Sequence, residues 1–193
     1  MTPEAQAAKE VFERSLAPGT RLYALLDAAR ESAGPYQAEQ AGLECRSLFM
    51  GDLGERVKEV APYIIEFPAR SPFRQWWFEQ WGNSIGVLVE APVTLEELRR
   101  HFRTLTVVRG AEDKKKYFFR FYDPRVLRVF LPACTTDEVK HFFGPITAFY
   151  CEGDGGAELL TFKPGPDGVV VKRNPTVVAP AGNEGESRNK KGM

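Results

Sequence analysis

Short apolar runs of strand length alternate along this chain with segments that carry explicit helix-start signals, and that alternation restricts the fold most. Runs at 22–26, 62–67, 85–89, 146–151 and 159–162 read as strands. The last two flank Gly153-Asp154-Gly155-Gly156, a hairpin turn signal. Residues 105–109 and 117–122 read as a further pair around the polar turn 110–116, and 45–50 as an apolar segment leading into a short helix at 53–60. Between them lie the helices. Thr2 and Pro3 open one over 1–17, which Pro18-Gly19 stops. Asp27 is placed to cap a short helix at 28–32, and residues 33–42, with Gly34-Pro35 and no clear period, are assigned to no element. A helix over 73–81 ends at Gly82. Thr94-Leu95-Glu96-Glu97 and Thr135-Thr136-Asp137-Glu138 are capping boxes, in which hydroxyl and carboxylate satisfy the free N–H groups of a first turn. Asp123-Pro124 starts one helix more, carboxylate as cap and proline in the first turn.

Helices alternating with strands predict a single α/β or α+β domain with one mixed sheet flanked by helices. The expected division is an N-terminal helix (1–17), the main domain (18–172) and a disordered basic tail (173–193). That tail holds four basic and two acidic residues among Pro, Gly, Asn and Ser.

The chain of 193 residues balances 26 Lys+Arg against 26 Asp+Glu, so there is no general attraction to nucleic acid or to an anionic membrane. Apolar residues make up 43% and aromatics 12%, enough to build a core. No apolar run approaches the roughly 18–20 residues of a membrane-spanning helix. Glu4, Lys9, Glu10, Glu13 and Arg14 interrupt the stretch a secretory signal needs, so a cytoplasmic location is expected, without membrane insertion. Three cysteines without C-x-x-C spacing fit reduced thiols, and two histidines are too few for a His-rich metal site.

The usual catalytic signatures are absent. There is no phosphate-cradling glycine loop, no H-E-x-x-H and no G-x-S-x-G, and no cofactor is expected. His101 and His141, each beside phenylalanines, read first as helix-surface or half-buried residues; a small histidine-dependent hydrolase is the alternative. The run Lys115-Lys116-Tyr117-Phe118-Phe119-Arg120-Phe121-Tyr122 invites comparison with an RNA-binding strand, but lacks that motif's glycines. Arg120 stands in an otherwise apolar strand. A buried guanidinium requires a carboxylate partner, and Asp27 and Asp123, both at strand-to-helix junctions, are the expected ones. The same edge, Arg120, Asp123 and Arg125, is a candidate recognition site. The Trp76, Trp77, Trp81 stripe reads first as core, with Trp76 and Trp77 as a second candidate partner face.

In order, Tyr23-Ala24-Leu25-Leu26-Asp27, Ser47-Leu48-Phe49 with Gly51, Ala61-Pro62-Tyr63-Ile64-Ile65, Trp81-Gly82 before Gly86-Val87-Leu88-Val89, Leu98-Arg99-Arg100-His101-Phe102-Arg103, the run Phe119-Arg120-Phe121-Tyr122-Asp123-Pro124-Arg125-Val126-Leu127, and Phe143-Gly144-Pro145 resemble the effector chaperone (adaptor) family of bacterial type VI secretion. The resemblance spans about residues 20–150. It implies a non-enzymatic protein that binds a toxin effector and helps load it onto the trimeric spike protein of the secretion apparatus. No catalytic residues carry over, and the N-terminal helix and tail lie outside it.

Overall fold

A computed structural model describes residues 1–49, 56–109 and 115–176. Among them, α1 (Pro3–Ser15), β1 (Arg21–Asp27), α2 (Gly34–Gln40), β2 (Cys45–Ser47), β3 (Pro62–Glu66), α3 (Pro72–Glu79), β4 (Gly86–Ala91), α4 (Leu95–Leu105), β5 (Val107–Arg109), β6 (Lys116–Phe118), α5 (Pro124–Ala133), α6 (Thr136–Phe143), β7 (Ala148–Glu152), β8 (Glu158–Gly165) and β9 (Gly168–Pro175) follow in chain order. Seven strands form one sheet in the order β2-β3-β1-β4-β7-β8-β9, and β5 with β6 forms a separate two-stranded ribbon.

The local chemistry explains the helix starts. The Thr2 hydroxyl accepts from the Ala5 N–H, Ser71 from Phe73, and both capping boxes form at Thr94 and Thr135. The Asp123 carboxylate accepts from the Arg125 N–H with Pro124 in the first turn, as its sequence anticipates.

Both faces of the sheet are buried. Side chains of one parity (Tyr23, Leu25, Val87, Val89, Phe149, Cys151) meet α4, α5 and α6 through Leu98, Phe102, Leu127 and Phe142. The other parity (Ala24, Leu26, Leu88, Tyr150) meets α1, α2 and α3 through Phe12, Ala38, Phe73 and Trp77. The result is three layers, helix–sheet–helix. Two covered faces account for the unbroken apolar runs, which do not depend on strand direction. Every described pairing is antiparallel, so the expected mixed sheet is an antiparallel one and the fold is α+β.

Several elements depart from the sequence reading. Residues 28–32 form a turn, and the helix lies instead at α2, where Pro35 occupies the first turn of a segment that lacks a side-chain cap. α3 stops at Glu79, and Gly82, with φ +97°, sits in the turn beyond it. β6 ends at Phe118, so residues 119–122 are not strand. Residues 173–175 belong to β9, which pairs with β8 over its whole length, so the expected tail boundary at 173 is too early. Residues 53–55 of the expected helix at 53–60 and residues 177–193 lie outside the described residues; of the remainder of that helix, Lys58–Val60 form a 3-10 turn.

A candidate partner-binding face

Two features meet on the α4–α5–α6 side of the domain. The first is the predicted ionic edge. Asp27 ends β1 and Asp123 caps α5, and both carboxylates are almost fully buried. Arg120 Nη2 donates to Asp27 Oδ2 at 2.5 Å and stands 3.6 Å from Asp123 Oδ2. Asp123 is held by Arg125, whose Nη2 and Nε reach its two oxygens at 2.6 and 2.9 Å. The structure therefore brings Asp27, Arg120, Asp123 and Arg125 together. It also corrects one expectation: with β6 ended, Arg120 lies in a turn, and its side chain is 42% exposed. The carboxylates face inward and the guanidinium groups outward.

The electrostatics follow from that arrangement. Burial pushes the Asp123 carboxyl up, but hydrogen bonds from the Arg125 side chain and backbone and the nearby Arg125 and Arg120 charges outweigh it and hold it below the usual range. Burial, with Asp27 behind it, pushes the Tyr122 phenol up to about 12, so it stays protonated.

The second feature is an apolar groove of about 510 Å³ between the β5–β6 ribbon and α6. Leu105, Val108, Phe119, Phe130 and Phe142 line it, with Asp137, Glu138 and His141 at the rim. Its floor is a run of touching rings. Phe119 and Phe130 lie 4.6 Å apart, centroid to centroid, and Phe142 sits 5.3 Å from Phe130. From there the contacts enter the core through Phe121 and Phe149 at 5.7 and 5.4 Å from Phe142. The ribbon beside the groove exposes Val107, Val108, Tyr117 and Phe118, and Val129 on α5 is 70% exposed. Sequence reading missed this groove, since its walls come from α4, β5, α5, α6 and the segment carrying Phe119, whose apolar residues each read as ordinary core.

The other candidates fall elsewhere. Trp77 is 3% exposed and packs in the core against α1 and the sheet, out of a partner's reach. Trp76 is half-buried and stacks on Phe73 at 5.4 Å. His101 Nε2 donates to the Phe142 carbonyl at 2.9 Å, and burial keeps the ring below its ordinary pKa. His141 stands on the groove rim. Burial pushes all three thiols up, Cys45 to about 12, which leaves them protonated and poorly nucleophilic. An RNA-binding strand needs rings on an open sheet face. Of the compared run only Lys116–Phe118 is strand, in the separate two-stranded ribbon; residues 119–122 leave it, and Phe121 and Tyr122 are buried, so the run does not array its rings along one strand. Among the described residues, no helix is long and apolar enough to cross a membrane, and no cluster of three His, Cys, Asp or Glu is placed to hold a metal ion.

Fold and surface together define a three-layer α+β domain with a ring-floored apolar groove beside a charged edge. The chain belongs to the family described as domain of unknown function DUF4123, whose model matches residues 22–141 and so takes in nearly all of β1 through most of α6, with the charged edge and all of the groove's lining but Phe142. No curated protein and no solved structure matches it.

Proposed function

We propose that this protein is a non-catalytic adaptor that binds a type VI secretion toxin effector in the bacterial cytoplasm and helps load it onto the spike protein. The observation that carries the reading is the apolar groove floored by Phe119, Phe130 and Phe142 and bordered by the exposed ribbon. Contiguous exposed apolar surface rimmed by polar groups is characteristic of protein-binding sites. A floor of rings anchored in the core is already rigid, so little side-chain entropy is lost when a partner docks. The resemblance to secretion adaptors supports the identity of the partner, because its most specific run, Phe119 to Leu127, supplies both the groove's Phe119 and the Arg120–Asp123–Arg125 edge.

The test is co-expression with each toxin encoded beside the gene. The wild-type protein should keep one toxin soluble and co-purify with it. Val108→Glu with Phe118→Glu places charge on exposed positions, so the variant should melt like the wild type yet lose co-purification. Failure of the wild type with every neighbouring toxin would overturn the adaptor reading. Retention by the variant would remove the groove from it.

A further inference from the structure

On the opposite side of the domain, α1 ends above the last two strands of the sheet. A pocket of about 310 Å³ opens there, lined by Arg14, Ser15, Thr161, Lys163, Val170 and Lys172. We propose that this pocket binds a phosphate-class dianion, free or as part of a small phosphate ester. The proposal is independent of the adaptor reading.

Strand register assembles the site. Thr161 pairs with Lys172 and Lys163 with Val170 across β8 and β9, so these four side chains share one sheet face. That face is the one α1 covers, since Leu159, of the same parity, packs with Phe12. Lys163 and Lys172 are diagonal neighbours, about 7–8 Å apart at the backbone, a gap that their long side chains close around a shared anion. Arg14 enters from the last turn of α1, its Nε donating to the Glu10 carbonyl at 3.2 Å and its terminal nitrogens without an acceptor among the described residues. No carboxylate lines the pocket, and among the described residues none lies in ion-pair range of these three cations.

Thr161 is the independent sign of a ligand. The residue is 5% exposed, and its hydroxyl has no hydrogen-bond partner among the described residues. Buried polar groups are nearly always satisfied, and those that are not call for an ion, a water or a ligand. A hydroxyl orphaned within a ring of unpaired cations fits an oxyanion, for which it is a donor. Charge selects among oxyanions. One carboxylate would answer one of three positive groups, whereas a phosphate dianion offers several acceptor oxygens for point-charge lysines and an arginine fork.

The experiment is calorimetric titration of the full chain with inorganic phosphate, pyrophosphate and a nucleoside monophosphate, with chloride at matched ionic strength as the control. The wild type should bind at least one phosphate species and show no heat with chloride. Lys163→Gln with Lys172→Gln should weaken binding by about tenfold or more, the loss of two charge-assisted contacts. Thr161→Val should weaken it by a few fold without touching charge. Both lysines are exposed, so the double variant should keep the wild-type circular dichroism and remain informative if Thr161→Val does not fold. Preference for inorganic phosphate or pyrophosphate assigns a free inorganic anion, and preference for the nucleoside monophosphate assigns an ester. No heat with any phosphate species, or unchanged affinity in the lysine variant, overturns the site.

Discussion

The Asp27–Arg120 pair makes an asymmetric prediction. Asp27 is 1% exposed, while the Arg120 side chain is 42% exposed. Replacing Arg120 by Met leaves a buried carboxylate whose remaining hydrogen-bond donor, among the described residues, is the Ala29 N–H. Stranding a fully buried charge costs about 3–5 kcal/mol, and the opening left by a half-exposed arginine lets water offset part of it, so about 2–3 kcal/mol is expected. Asp27→Asn instead frees a guanidinium already near water, which hydrates where it stands. That change should cost about 1 kcal/mol. In a domain of this size each kcal/mol moves the melting temperature by about 2–4 °C, so Arg120→Met should lower it by about 6–9 °C and Asp27→Asn by about 3 °C. The two substitutions should not add. With the carboxylate gone, Arg120→Met strands nothing, and the double variant should melt above the Arg120→Met single. Thermal unfolding of the four proteins at neutral pH and fixed salt completes the double-mutant cycle. A milder effect of Arg120→Met than of Asp27→Asn, or simple additivity, refutes the claim that the buried carboxylate governs this edge.

Other outcomes follow from single sites. Asp123→Asn keeps a competent helix cap but removes the charge; because the folded-state pKa of Asp123 is held down, its ionic contribution is present above the unfolded carboxylate pKa of about 3.9 and fades as pH falls through the lower folded value. Urea unfolding should therefore show a wild-type advantage at pH 6 that shrinks toward pH 3, and an advantage constant with pH would contradict it. A Cβ at Gly86 would lie 2.1 Å from the Leu25 carbonyl oxygen and 2.8 Å from the Trp77 ring, so Gly86→Ala should destabilise by about 3 kcal/mol in the same assay. Phe102→Ala, at a ring with 0% exposure, should cost about 3–5 kcal/mol, whereas Val129→Ser on the exposed face should change stability by less than about 0.5 kcal/mol.

What could be read in advance divides along the range of the interactions. Capping at Thr94, Asp123 and Thr135 is settled within four residues, and those helix starts fall where the sequence places them. The glycine turn at 153–156 joins β7 to β8 for the same reason. Asp27 and Asp123 were legible as partners of Arg120 because a cation among rings has few places to go. Strand direction was not legible, since Leu22 to Leu26 and Ile85 to Val89 report two covered faces and nothing about polarity. β9 escaped notice because an edge strand is half solvated, and Lys172, Arg173, Asn174 and Pro175 have the composition of a tail. The groove belongs to no single segment. It exists only once α6 and the ribbon are set side by side.

The rings from Phe119 through Phe142 to Phe149 join surface to interior without a break. Any change that reshaped the base of the cleft would also disturb the packing between α6 and the sheet, and would be purged as misfolding before it was tried as altered specificity. On the adaptor proposal, adaptation to a new client is therefore channelled into Val107, Val108, Tyr117 and Phe118, which are exposed on the ribbon. Homologous chains serving different clients should diverge along the short hairpin while sharing a common bed beneath it.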